Sequence, residues 1–333
     1  MKKTKIIAEA GVNHNGQLNL AKKLIYQAAK LGADYIKFQS FKADKLLKKD
    51  TKKANYQIKN KKRENENQYT MLKKLELKDK HYKILFNYCK KYKIKFLLSF
   101  FDIDSLVWVK KLRLKEIKIP SGEINNMLLL NEVGKLKKKV ILSSGISSLL
   151  EIRNAVKMLI KSGTKKKNIT VLHCNTEYPT PLNDVNLRAM VEIKKKLNIS
   201  VGYSDHTPGI EASISAVSLG AEIIEKHFTI NPNFIGPDHS SSLSLAQLGN
   251  LIKLIRNTEL ILGKKNKKPS KSEKKNKIFV RKSIVAKKNI DKGEKFSREN
   301  LTVLRPGTGI SADKFFLMIG KKAKKRYLPG DII

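Results

Sequence analysis

Eight short apolar runs, rich in β-branched and aromatic residues, recur over the first 230 or so residues: 5–10, 35–39, 95–100, 116–120, 140–144, 169–174, 200–205 and 223–228. Segments of helical pattern separate them, as at 18–31, 80–92, 149–162 and 187–197. Strands alternating with helices predict a parallel sheet joined by right-handed crossovers. Eight such units in about 260 residues predict an α/β fold of the closed (β/α)8 (TIM) barrel type. A doubly wound open sheet is the alternative. That fold carries a Gly-rich first turn, and Gly-Val-Asn-His-Asn-Gly (11–16) does not fit its fingerprint. The barrel is expected over 1–263. A Lys-rich, apolar-poor stretch with Pro269 over 264–277 reads as a linker. Residues 278–333 read as a small β-rich domain of short strands and turns, marginal alone and expected to dock on a barrel.

A barrel of this kind places its chemistry at the C-terminal ends of the strands. There the sequence puts Glu9, then Lys37 and Gln39, Ser99, Lys118 with Ser121 and Glu123, Ser143, then His173, Thr176 and Tyr178, Ser204 with His206, and His227. Each alone reads equally as a solvated loop residue; polar groups at all eight strand ends are harder to explain that way. Lys37 and Lys118 sit inside apolar strands, where an ammonium must meet an anion or shift its pKa. Ser99, Ser121 and Ser143 can reach the same centre. Ser-Ser-Gly (143–145) before a helix reads as a phosphate cradle of backbone amides. Together these suggest a small substrate bearing carboxylate and phosphate, against the plainer reading of buried salt bridges. His206 and His227 end neighbouring strands and can share a divalent metal; a hydrogen-bonded polar pair is the other reading. Asp205, Glu225 and Asp238 can orient the imidazoles or ligate directly.

Charge and cysteine content bear on what the chain is not. The formal charge of +41 is carried mostly by lysine, with nine arginines. The lysines are scattered and seldom interleaved with aromatics, and Arg, the preferred base reader, is scarce. A solvated lysine coat that steers anions inward is therefore expected, with no specific nucleic acid. Two cysteines leave no disulfide framework and point to a reducing, cytoplasmic setting. Glu9 interrupts the first apolar run too early for a signal-peptide core, and no membrane span of about 18 apolar residues occurs.

Several blocks carry a resemblance: Ile-Ala-Glu-Ala-Gly-Val-Asn-His-Asn-Gly (7–16), Lys-Phe-Gln (37–39), Ile-Lys-Ile-Pro-Ser-Gly-Glu (117–123), Ile-Leu-Ser-Ser-Gly (141–145), Leu-His-Cys-Asn-Thr-Glu-Tyr-Pro-Thr-Pro (172–181), Gly-Tyr-Ser-Asp-His-Thr (202–207), Glu-Lys-His-Phe-Thr (225–229) and Gly-Pro-Asp-His (236–239). The chain resembles the sialic acid synthase family of the bacterial N-acetylneuraminate type. Its tail, with Leu-Arg-Pro-Gly-Thr-Gly (304–309), resembles the antifreeze-like SAF domain. The resemblance implies condensation of phosphoenolpyruvate with N-acetylmannosamine and release of phosphate. The alternative is a 2,4-diacetamido-2,4,6-trideoxyhexose, giving legionaminate or pseudaminate. It further implies Mn2+ or Mg2+ on His206 and His227. Phosphoenolpyruvate would be held by Lys37, Ser99, Lys118, Ser121, Ser143, Thr176 and Ser204, with Thr176 standing where some relatives carry Asn. Gln39, Glu123, Tyr178 and Asp238 would face the sugar, and Glu9 or Glu123 would move a proton, with Lys37 beside them. Arg305 would reach the partner's sugar site across a domain-swapped homodimer. A different class, a Schiff-base aldolase using Lys37 or Lys118, is the rival reading.

Overall fold

The computed structural model describes residues 3–53 and 67–333. Eight parallel strands close into a barrel: β1 Lys5–Gly11, β2 Tyr35–Ser40, β3 Lys95–Phe100, β4 Glu116–Ile119, β5 Lys139–Ser143, β6 Ile169–Cys174, β7 Ser200–Asp205 and β8 Ile223–His227. β1 pairs with both β2 and β8, so the expected α/β barrel is the fold that forms. The sequence runs match these strands to within a residue or so at each end, because a strand buried on both faces is apolar to its ends.

Alternation along each strand sorts the interior into tiers. At the N-terminal mouth, Lys5 and Lys139 both pair with Glu116, at 3.1 and 3.8 Å. One step up, Ile7, Tyr35, Leu97, Ile141, Leu172 and Ile223 form a buried apolar plug. Gly202 fills the β7 position at this level. A Cβ there would lie 2.4 Å from the Ile223 carbonyl oxygen and 2.6 Å from Leu172 Cδ2, so only hydrogen fits. The next inward residues are Glu9, Lys37, Ser99, Lys118, Ser143, Cys174, Ser204 and Glu225, the floor of the cavity described below. Outward residues such as Ile6, Ile36, Leu98, Ile117, Leu142 and Ile224 join the helices in the main core.

The helices read from the sequence form with small shifts, as Leu18–Leu31, Asp79–Lys91, Leu149–Lys161 and Leu187–Leu197. Ser148 and Glu151 form a capping box that satisfies the first amides of Leu149–Lys161. On the outer face, Lys226 Nζ lies 3.0 Å from Asp205 Oδ1 and donates to the Thr207 carbonyl at 2.6 Å. Asp205 also accepts from Thr207 and Ser213, which ties the β7 end to the helix Glu211–Ser218. Asp205 therefore points away from the histidines and does not orient them.

The chain divides into Met1–Gly263 and Lys264–Ile333. The second unit pairs β9 Ser283–Ala286 antiparallel with β10 Leu301–Leu304 over a small core of Ile284, Ile290, Phe296, Leu301 and Tyr327. The stretch read as an extended linker is partly helical. Lys271–Val280 is a helix, capped by Ser270 and Glu273. Charge density hid it, because a helix exposed all round needs no apolar stripe.

Candidate active site

A cavity of about 510 Å3 opens at the C-terminal face of the barrel. The lining includes Glu9, Lys37, Gln39, Ser99, Lys118, Ser121, Glu123, Ser143, Thr176, Tyr178, Ser204, His206, His227 and Asp238. The strand-end residues singled out for the site are in this set except His173, and of the acidic neighbours of the histidines Asp205 lies outside it. Arg305 belongs to the second unit, where it is exposed and its Nε donates to the Val280 carbonyl at 3.1 Å.

The floor is a buried charge cluster. Lys37 Nζ lies 2.8 Å from Glu225 Oε1 and 3.5 Å from Glu9 Oε2. Lys118 Nζ lies 3.6 Å from the same Glu225 oxygen and donates to Ser143 Oγ at 2.6 Å. Ser204 Oγ donates to Glu225 Oε1 at 3.0 Å, and Gln39 Nε2 donates to Glu9 Oε1 at 3.4 Å. Two carboxylates and two ammonium groups share this desolvated floor, so its net charge follows the protonation of Glu9.

The surroundings set the protonation states. Burial pushes the Glu9 carboxyl up to about 7, with Lys37 opposing and Glu225 adding to the rise. Burial lowers Lys118 to about 8, with Glu225 opposing and Lys37 reinforcing. Burial also works against Lys37, but Glu225 and Glu9 beside it hold its pKa above the ordinary lysine value. Burial alone would raise Glu225; Lys118 and Lys37 outweigh it and keep this carboxylate well below its usual range. Glu123 is raised by burial although Asn126 donates to its Oε2 at 2.7 Å.

The two histidines stand above this floor with ring centroids 5.7 Å apart. His206 Nδ1 faces the Asn175 carbonyl, which places the proton there and leaves a lone pair on Nε2. That Nε2 lies 3.1 Å from Tyr178 Oη and 3.3 Å from Ser204 Oγ, and the Tyr178 ring stacks on the imidazole at 4.1 Å. Burial holds His206 down to about 4 and His227 well below its usual value, so both are neutral near pH 7. His227 Nδ1 is buried without a hydrogen-bond partner, 3.9 Å from Asp238 Oδ2. Gly11 makes this approach possible. Its φ of +50° sits at the register shift in the β1–β2 pairing, and a Cβ there would lie 3.1 Å from the His227 ring. Two neutral imidazoles beside a carboxylate, one with an orphaned nitrogen, suit a divalent cation. Among the described residues no group of three or more His, Cys, Asp or Glu forms a fuller cage.

Some sequence expectations are corrected. The amides of Ser144 and Gly145 are already used, by the Leu172 carbonyl at 3.0 Å and Ser121 Oγ at 2.9 Å, so 143–145 is no amide cradle. His173 turns outward and its Nε2 meets the Val185 carbonyl at 2.8 Å. Glu225 was legible only as an acidic neighbour of the histidines, yet it is the hub that both lysines share. The period of two, which puts Glu225 and His227 on one face of β8, was the available signal. Cys174, whose Sγ lies 3.2 Å from Ser121 Oγ, also lines the cavity and was missed.

Buried charged side chains converging on one cavity at the C-terminal face of a closed barrel mark a (β/α)8-barrel enzyme. The model of the NeuB family matches residues 24–267, and that of the SAF domain matches 281–333. An N,N'-diacetyllegionaminic acid synthase of Campylobacter jejuni is 53% identical over 333 residues, 100% of this chain and 99% of that protein. One from Legionella pneumophila is 42% identical, covering 95% of this chain and 89% of that protein. The solved N-acetylneuraminic acid (sialic acid) synthetase of Leptospira borgpetersenii is 34% identical with a TM-score of 0.72, over 82% of this chain and 90% of that one. The chain belongs to the NeuB family and ends in a SAF domain.

Proposed function

We propose that this enzyme is an N,N'-diacetyllegionaminate synthase. It joins C3 of phosphoenolpyruvate to the aldehyde carbon of an open-chain 2,4-diacetamido-2,4,6-trideoxyhexose; water adds at C2, and phosphate leaves. The observation that carries the reaction type is the buried pair Lys37 and Lys118, gathered with Ser99, Ser143 and Ser204 under two neutral histidines. The choice of sugar departs from the N-acetylmannosamine expected from the sequence. It leans on the 53% identity to a legionaminic acid synthase, against 34% to the sialic acid synthetase.

In this reading Lys37 and Lys118 hold the phosphate and carboxylate, with Ser99, Ser121, Ser143, Thr176 and Ser204 around them. Two ammonium groups let two anionic groups be desolvated together. Gln39, Glu123, Tyr178 and Asp238 face the sugar. His206 and His227 would hold Mn2+ or Mg2+, which when bound supplies Lewis-acid polarisation of the aldehyde oxygen. Glu9 is the favoured proton carrier. It lies opposite His227 in the β1–β8 register, and a carboxyl near 7 suits acid–base work at neutral pH. Arg305 would contact the sugar from a partner subunit in a domain-swapped homodimer. With Lys271–Val280 helical, any such crossing relies on a shorter extended segment than the sequence suggested.

The lowered Lys118 amine is the one observation that favours a Schiff-base aldolase. Sodium borohydride with pyruvate separates the two: the synthase forms no reduced adduct. The main test is phosphate release from phosphoenolpyruvate with a panel of amino sugars, with and without chelator. Turnover needing the diacetamido sugar and a divalent metal supports the reading. Release with none of the sugars ends it.

A further inference from the structure

One side of the cavity carries no charge. Phe41, Leu46, Leu47, Leu72 and Phe101 line it, with the uncharged Gln68 one turn before Leu72, on segments that follow β2 and β3. This side has its own backing. Val12, Phe41, Met71 and Leu75 form a separate buried cluster, against which Leu46, Leu72 and Phe101 pack, and Phe41 meets Phe101 edge-on at 6.1 Å. Polar contacts hold the helices Ala43–Leu46 and Gln68–Leu75, which carry Leu46 and Leu72. Ala43 N donates to Glu76 Oε1 at 2.7 Å, and Lys73 Nζ lies 2.5 Å from Asp44 Oδ2 and 3.2 Å from Glu76 Oε1. Asn67 caps the helix Gln68–Leu75 through Thr70 N at 2.9 Å. The wall is thus a supported surface. The cations and serines stand on the barrel floor, so an anionic substrate has little to gain from the wall.

We propose that this wall is the sugar-selecting surface, and that it takes the C6 methyl and the 4-acetamido methyl of the trideoxyhexose. The inference rests on the synthase reading above and adds which side chains read the sugar. A hexosamine with hydroxyls at C4 and C6 would turn those hydroxyls towards aliphatic and aromatic carbon, where they lose water with few polar partners. Methyl groups in the same place gain apolar burial. An apolar pocket separates substrates that differ by one methyl-sized group by about 10- to 200-fold, and discrimination of that order is expected here.

The experiment measures kcat/KM with the full-length enzyme and three sugars. They are the 2,4-diacetamido-2,4,6-trideoxy sugar, N-acetylmannosamine, and 2-acetamido-2,6-dideoxymannose, which isolates the C6 methyl. The variants are Leu72→Asn and Leu46→Asn, with the milder Leu72→Ala in case the polar changes fail to fold; thermal melts check each. The expected result is a loss of about 10-fold or more for the trideoxy sugar, a smaller loss for the dideoxy sugar, little change for N-acetylmannosamine, and an unchanged KM for phosphoenolpyruvate. Equal losses on all three sugars, a parallel rise in the KM for phosphoenolpyruvate, or no loss in any folded variant would overturn the inference while leaving the synthase reading intact. Wild-type enzyme that turns over none of the sugars, or prefers N-acetylmannosamine, overturns the legionaminate reading itself, and the selecting wall falls with it.

Discussion

At the scale of single residues, the floor predicts a bell-shaped pH dependence of kcat/KM. In its proposed role as base, Glu9, raised to about 7, acts only when ionised, so activity should fall as pH drops through that value. Lys118, lowered to about 8, binds an anion only when charged, so affinity for phosphoenolpyruvate falls as pH rises through that value. Glu9 and Lys118 share Lys37 and Glu225 as neighbours, so the profile reports the whole cluster. Lys118→Ala should raise the KM for phosphoenolpyruvate about tenfold or more, since a charge-assisted hydrogen bond is worth roughly 1.5–3 kcal/mol. It should also flatten the alkaline limb. Lys118→Arg should rescue poorly, because Ser143 Oγ at 2.6 Å leaves no room for a guanidinium fork. An equal effect on the KM for the sugar would make Lys118 structural instead. His206→Ala and His227→Ala should each abolish chelator-sensitive turnover and lower the metal retained after dialysis. Full activity of the double variant in EDTA would remove the metal from the account.

At the scale of elements, β7 and β8 carry the most testable structure. Gly202→Ala forces a methyl against the Ile223 carbonyl and Leu172, an overpacking that costs typically about 1–3 kcal/mol. A melting temperature lower by several degrees is expected, and an unchanged one would mean that the apolar plug yields easily. Asp205→Ala strands the Lys226 ammonium under the helix Glu211–Ser218. Breaking a buried pair from one side costs about 3–5 kcal/mol, so the loss should exceed that of the double variant Asp205→Ala, Lys226→Met. The strand ends were legible because an apolar run needs no long-range information to be recognised. The role of Asp205 was not. One residue before His206, it ends β7 on the outer face, and its partners Lys226 and Ser213 come from elements later in the chain.

At the scale of the whole molecule, the +41 charge should act on rates more than on structure. Anionic phosphoenolpyruvate is steered inward, so its kcat/KM should fall as salt shortens the roughly 10 Å screening length of 0.1 M solution. Sugar kinetics should respond less. The proposed exchange of SAF domains is tested by co-refolding two inactive variants, His206→Ala and Arg305→Ala. A swapped dimer can combine one barrel holding both histidines with an intact Arg305 from its partner, and part of the activity returns. Proven heterodimers that stay inactive would end the exchange.

By itself the sequence determined the barrel, its strand limits and nearly all the polar residues that meet in the cavity. Those are local matters: strand period, helix period, and the rule that inward residues at strand ends face one mouth. Tertiary structure alone decided how those groups are partnered. Closure and register brought Glu225 between two lysines from other strands, gave the 144–145 amides to Leu172 and Ser121, and assembled an apolar wall from segments spread between Phe41 and Phe101. Such partnerships depend on which strand lies beside which and at what stagger, and no stretch of the chain carries that information within its own length.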